Sequence, residues 1–214
     1  MSTNQFDSLD AAYVPNPAVE IPPLIEAFLT WLAERVPGFD PAATRALGAE
    51  LAAAQSHRIV DEAARHNLAL TTMVVAAFRL LPGEIDRHTL VRRALAEPLA
   101  EQIAQGTRYA LDYAEDAFST MVAISKAREE HAFGAGFAFH RAADDDREYL
   151  LEVRQCFYHE VLKAHDAAEL TPALCAFDES WIGAIDPDRH GLTFERSTTL
   201  GLGGTHCPFS FRRS

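Results

Sequence analysis

Phe133-Gly-Ala-Gly-Phe-Ala-Phe-His-Arg-Ala-Ala-Asp-Asp-Asp-Arg-Glu-Tyr-Leu-Leu-Glu-Val153 is where the periodicity of this 214-residue chain changes. Phe133, Ala135, Phe137 and Phe139 alternate and lead into His140-Arg141, a period of two that predicts a strand. Tyr149, Leu151 and Val153 alternate again, and the acidic run Asp144-Asp145-Asp146 between them is a solvated turn. The two segments read as an antiparallel hairpin.

Upstream of the hairpin the apolar residues recur at helical spacing. A first helix is expected over residues 22–36, opened by Pro22 and stopped by Pro37-Gly38. Asp40 is the expected N-cap of a second, with Pro41 at its first position. That helix runs on through residues 44–67, with Leu47, Leu51 and Ala54 on one stripe. A third, buried segment covers residues 68–81. Helical patterns then cover residues 86–105, ended by Gly106, and residues 107–130, with Tyr109, Tyr113, Phe118 and Met121 on the core side.

Downstream, residues 157–165 read as a short helix, and Thr171-Pro172 opens another that reaches residue 185 and is ended by Asp186-Pro187-Asp188. A strand over residues 192–200, a Gly201-Leu202-Gly203-Gly204 turn and a last strand over residues 206–212 complete the pattern. The fold class is therefore α+β: a helical N-terminal part, then a compact unit with a roughly four-stranded antiparallel sheet and flanking helices. Residues 1–20 form a polar arm, 21–130 the helical part and 131–214 the α+β unit, together one integrated domain.

Charge excludes some partners. Nineteen basic against 31 acidic residues leave a net charge of −12, and no basic cluster offers itself to nucleic acid or to an anionic membrane. The longest apolar run is too short and too polar to span a bilayer, and the N-terminus lacks the basic start and apolar core of a signal peptide. Three cysteines cannot all pair within the chain, which points to reduced thiols in a cytoplasm. The polar arm and acidic surface permit a homo-oligomer.

Those three cysteines all fall in the last sixty residues. Cys175 and Asp178 lie three apart, on one face if helical. Cys156 and His159 share that spacing, with Cys156 where a helix N-terminus and an imidazolium would both favour its thiolate. Cys207 shares a strand face with Phe209 and Phe211, a pattern usual for a small buried hydrophobe, and His206 falls on the opposite face. The glycine turn is followed by a strand rather than a helix, so it is not a dinucleotide fingerprint. Cys156, His159, Cys175 and Asp178 have the donor chemistry for a divalent metal, but only if two short helices face each other.

The runs Cys175-Ala-Phe-Asp178, Leu192-Thr-Phe-Glu-Arg-Ser-Thr-Thr-Leu200 and Gly203-Gly-Thr-His-Cys207-Pro-Phe209-Ser-Phe211 together resemble the L-2-amino-thiazoline-4-carboxylic acid hydrolase family. The likeness is best over the last sixty residues and departs at Pro208, where the family usually carries aspartate. It implies a hydrolase that opens a small heterocycle at a C–S or C–N bond, with a carboxylate-bearing small molecule as substrate. Cys175, Asp178, Cys207 and His159 are then the expected catalytic groups, and Arg196, Thr198, His206 and Cys156 the expected binding groups. Cys175 is the first choice of nucleophile and Cys207 the second. A fainter likeness, to vinyl-reductase-type small-molecule-binding domains, keeps a non-catalytic sensor as the alternative.

Overall fold

The computed structural model describes residues 14–214, so most of the expected polar arm lies outside the described residues. Its end does not, and Pro17–Glu20 already belong to helix α1 (Pro17–Arg35). Asn16 caps α1 by accepting from the Ala18 N–H at 3.1 Å, with Pro17 at the first helical position. Pro22 and Pro23, read from sequence as the start, lie inside the helix on its exposed side, where water can take the carbonyls they leave unpaired.

Asp40 and Pro41 open α2 (Pro41–Ala54) as expected, the Asp40 carboxylate accepting from Ala42 and Ala43. The helix does not run on to residue 67. It breaks at Gln55, and α3 (Glu62–Leu80) starts from a new cap at Asp61, joining the two segments that the sequence pattern separates at Asn67. Thr44, Gly48 and Leu51 are the buried residues of α2, while Ala54 is exposed.

Buried polar residues inside α3 are satisfied locally. The Thr71 and Thr72 hydroxyls donate back to the carbonyls of Asn67 and Leu68 at 2.7 and 2.9 Å. Phe28, Leu32, Val74 and Val75 are wholly buried between α1 and α3 and anchor the larger core cluster.

The next boundary is proline, not glycine. Helix α4 (Arg87–Ala96) ends before Pro98, and α5 (Ala100–Asp112) contains Gly106 on its buried side. A lone glycine costs a helix about 1 kcal/mol, whereas proline removes a hydrogen bond and clashes. Helix α6 (Ala117–Arg128) is recapped by Asp116. That restart changes the phase: Phe118 and Met121 are buried as expected, but Tyr109 and Tyr113 are 52% and 77% exposed and pack on each other.

A π-helical turn at Glu129–Phe133 and a 3-10 turn at Gly134–Gly136 occupy what the alternation suggested was the first half of a strand. Gly134 has φ +70, and a Cβ there would lie 2.5 Å from Oδ2 of Asp61. Side chains are excluded from that position on both counts. Strands β1 (Ala138–Asp144) and β2 (Glu148–Gln155) form the expected hairpin.

Helix α7 (Phe157–Ala164) follows. The single helix expected from Thr171 to residue 185 is a chain of short turns: α8 (Thr171–Cys175), a 3-10 turn and α9 (Glu179–Ile182). Asp186 does not end a helix but caps α10 (Pro187–His190). Strands β3 (Leu192–Glu195) and β4 (Cys207–Arg213) complete an antiparallel sheet of order β1-β2-β4-β3. Strand β3 stops at Glu195, five residues earlier than the sequence suggests, and the chain then loops through residues 196–206. The result is the expected α+β architecture, with the helices against one face of a four-stranded sheet. Among the described residues no helix is long and apolar enough to cross a membrane.

Candidate functional site

Between the helices and the sheet lies a cavity of about 260 Å³. Cys207, Phe209 and Phe211 of β4, with Leu151 and Val153 of β2, form its floor, because alternate residues of paired strands share a face. The alternation expected along β4 therefore holds, but its phenylalanine face borders a cavity as well as core.

All three cysteines line this cavity, together with Tyr158, Asp178 and Arg196. Each arrives by a different route. Cys156 is the N-cap residue of α7, directly after β2. Cys175 ends α8, and Asp178 lies one turn later. Cys207 is the first residue of β4, opposite Val153. Arg196 is the first residue of the loop after β3.

Asp178 and Arg196 form an ion pair, Nη1 to Oδ2 at 2.5 Å, with side chains 28% and 13% exposed. The Trp181 indole N–H donates to the other carboxylate oxygen at 3.0 Å. The Arg196 guanidinium also donates to the Cys175 carbonyl at 3.3 Å and stacks over Phe209. The arginine expected to grip substrate and the carboxylate expected to move protons thus hold each other in the resting protein.

The thiols are neutral at rest. Burial pushes Cys175 up to about 11, the Asp178 charge adding to it and Arg196 opposing it. Burial pushes Cys156 up to about 12; the N–H groups of Tyr158 and His159 act the other way without making a cap hydrogen bond. Cys207 is raised for the same reason, opposed by the Leu200 N–H, which donates to its sulfur at 3.2 Å, and by Arg196.

A pH dependence follows. Folded values above the ordinary 9.0 mean that this contribution to stability is complete below pH 9 and lost as pH rises through about 11 and 12. The urea midpoint is expected to fall steadily above pH 9. Alkylation of Cys175 by iodoacetamide, mapped by mass spectrometry, is expected to rise about tenfold per pH unit from 7 to 10. A plateau near pH 9 would mean an ordinary, solvated thiol.

Other expected residues lie elsewhere. His159 is absent from the cavity wall; its Nδ1 is 2.8 Å from the Thr171 hydroxyl, which itself donates to the Ala168 carbonyl. The imidazole N–H therefore donates to Thr171, and Thr171 lines the cavity. His206 lies outside too, beside Thr205 and Glu152, as its strand face implied. Thr198 packs against Gly204, where a Cβ would come within 2.7 Å of its hydroxyl.

The buried threonine is Thr199, one residue on, behind the cavity wall, because the chain has left strand geometry by then. It is 4% exposed and its hydroxyl has no hydrogen-bond partner. It is close enough to Cys175 to favour the thiolate. No sequence signal separates Thr199 from Thr198. Tyr158 was missed as well. Its hydroxyl donates to Asn67 Oδ1 at 2.9 Å, while the Asn67 amide donates to the Ala132 carbonyl of the π-helical turn at 3.1 Å. Burial raises the Tyr158 phenol well above its ordinary value, so it stays a donor.

Among the described residues, no three His, Cys, Asp or Glu side chains are disposed to hold a metal ion. With His159 bound to Thr171 and Asp178 to Arg196, the donor set expected for a divalent cation does not converge.

A family model described as L-2-amino-thiazoline-4-carboxylic acid hydrolase matches residues 56–211. The chain belongs to the L-2-amino-thiazoline-4-carboxylic acid hydrolase family. The match reaches well beyond the last sixty residues on which the sequence likeness rests, taking in α3 to α6 as well as β1 to β3 and most of β4. Searches of curated proteins and of solved structures find no match. Membership of this hydrolase family makes a hydrolase-like activity the reading at family level. Cys156, Cys175, Asp178, Arg196 and Cys207 all fall within the matched stretch, around one cavity.

Proposed function

We propose that this protein hydrolyses a small heterocycle that carries both an amidine-like carbon and a carboxylate, breaking the ring at its C–S bond, in a reducing cytoplasm where its cysteines stay free. The observation that carries this reading is the Asp178–Arg196 pair beside three thiols at one cavity end. One anion and one cation held together match a zwitterionic ring in reverse. The substrate carboxylate takes Arg196, and the cationic amidine takes the place of Arg196 at Asp178.

Exchange of partners also opens room at the base. Once Arg196 turns to substrate, one lone pair of Asp178 Oδ2 faces the amidinium and the other accepts the Cys175 proton. The thiolate adds to the amidine carbon, the bond from that carbon to the ring sulfur breaks, and the sulfur leaves with the proton returned by Asp178. Water, deprotonated by Asp178, then attacks the same carbon. The Cys175 sulfur departs as a thiol, and a urea carrying the opened chain is released. Thr199 donates its unused hydroxyl to the thiolate.

The test is incubation of the purified protein with 2-aminothiazoline-4-carboxylate and a panel of related thiazolines and oxazolines, followed by mass spectrometry. Ring-opened ureas are the expected products, with one new free thiol per turnover from each thiazoline and one new hydroxyl from each oxazoline. Saturable binding without turnover across the panel would move the protein to the non-catalytic sensor class.

A further inference from the structure

The cavity extends far beyond what its polar end uses. Along β4 the register runs from Cys207, opposite Val153, to Phe211, opposite Tyr149. Four residues of strand cover about 13 Å. At the first end stand the thiols, Asp178 and Arg196. The other walls include Ile103 and Ala110 of α5, Met121 and Ile124 of α6, and Leu151 and Phe211 of the sheet; Met121, Leu151 and Phe211 pack in one cluster with Tyr149 at the second end. The two charged lining residues besides Asp178 and Arg196 are Glu20 and Arg128, which are paired with each other at 3.4 Å.

Volume decides what such a space is for. A cavity of about 150 Å³ lined by apolar side chains stays dry and takes up a benzene-sized molecule. This one is about 260 Å³, room for a five-membered ring at the thiol end and a second apolar ring beyond it. A site for 2-aminothiazoline-4-carboxylate alone would leave the α5–α6 walls in contact with nothing, forfeiting their dispersion contacts.

We infer that the heterocycle bound here carries an apolar substituent, an aryl or branched alkyl group of about six carbons, seated between α5, α6 and the sheet floor. This inference rests on the ring-opening reading for its polar end alone; the apolar end stands on the cavity walls. Each buried methylene is worth about fourfold in binding, so the substituent separates the true substrate from the bare ring by at least tenfold.

The experiment compares 2-aminothiazoline-4-carboxylate with its 5-phenyl derivative in two readouts, turnover and quenching of Trp181, which lines the cavity while Trp31 lies in the helical core. The 5-phenyl compound is expected to show a kcat/KM at least tenfold higher. Ala110→Leu, which fills the apolar end, is expected to cut that ratio tenfold or more, and Ile103→Phe serves as a second filling variant should the first unfold. If neither compound turns over, the hydrolase reading fails. The inference still stands if the phenyl compound binds at least tenfold more tightly in the quenching titration and loses that margin in the filled variants. Equal or better turnover and binding of the unsubstituted ring would overturn it, as would ratios that the filled variants leave unchanged.

Discussion

Cys175→Ala is expected to lower kcat/KM for the ring-opening reaction by at least about a thousandfold, roughly 4 kcal/mol of transition-state stabilisation. The substitution removes the nucleophile proposed for the covalent path, and what remains is attack on the amidine carbon by water that Asp178 deprotonates. Cys207→Ala and Cys156→Ala are expected to cost less than about tenfold, because those thiols line the same end without the Thr199 hydroxyl that favours the Cys175 thiolate. The ranking is the test. A larger loss at Cys207 would transfer the nucleophile to β4, where the Leu200 N–H and Arg196 favour its thiolate. Near-full activity in Cys175→Ala would replace the covalent route by direct hydration. Rapid-quench mass spectrometry adds an independent readout, since the covalent route leaves an S-linked adduct on Cys175 alone.

The second large effect is expected at Arg196. Arg196→Ala strands the Asp178 carboxylate, which is three-quarters buried and loses its contact at 2.5 Å. Breaking a fully buried pair costs about 3–5 kcal/mol; partial exposure of Asp178 brings the expected loss to about 2 kcal/mol, read from the urea midpoint. Asp178→Asn in the same chain removes the stranded charge and is expected to recover about half of that loss. Kinetically, Arg196→Ala is expected to raise KM by about a hundredfold for a carboxylate-bearing ring and to leave a decarboxylated analogue unaffected. Arg196→Lys should rescue stability better than KM. An ammonium can face Asp178, but it lacks the planar fork that reaches Asp178 and the Cys175 carbonyl together. An equal loss for both substrates would assign Arg196 to holding Asp178 in place rather than to substrate.

How far the chain could be read in advance varied with the kind of signal. Caps were legible: Asp40 with Pro41 opens α2, since a short acceptor followed by a residue without an N–H satisfies a helix start locally. The β1–β2 hairpin and the one-sided alternation of Cys207, Phe209 and Phe211 were legible for the same reason, period two being a property of the strand itself. Helix boundaries at Asn67 and Gly106 were misread because propensity alone cannot say which breaks tertiary packing overrides. Tyr109 and Tyr113 were misplaced because the restart at Asp116 shifts the helical phase.

The site divides along the same line. Residue chemistry and its likeness to a hydrolase family were in the sequence, and so was the grouping of Cys175 with Asp178, three residues apart. Everything that depends on approach between distant segments was not. Arg196 meets Asp178 across 18 residues, His159 turns to Thr171, and Thr199 rather than Thr198 is the buried threonine because β3 ends at Glu195. Local spacing determines which side chains can share a face, since backbone geometry is the same everywhere. Which faces meet, and how much space is left between them, is decided only when helices and sheet pack. That packing turned a phenylalanine face that looked like core into the floor of a cavity of about 260 Å³.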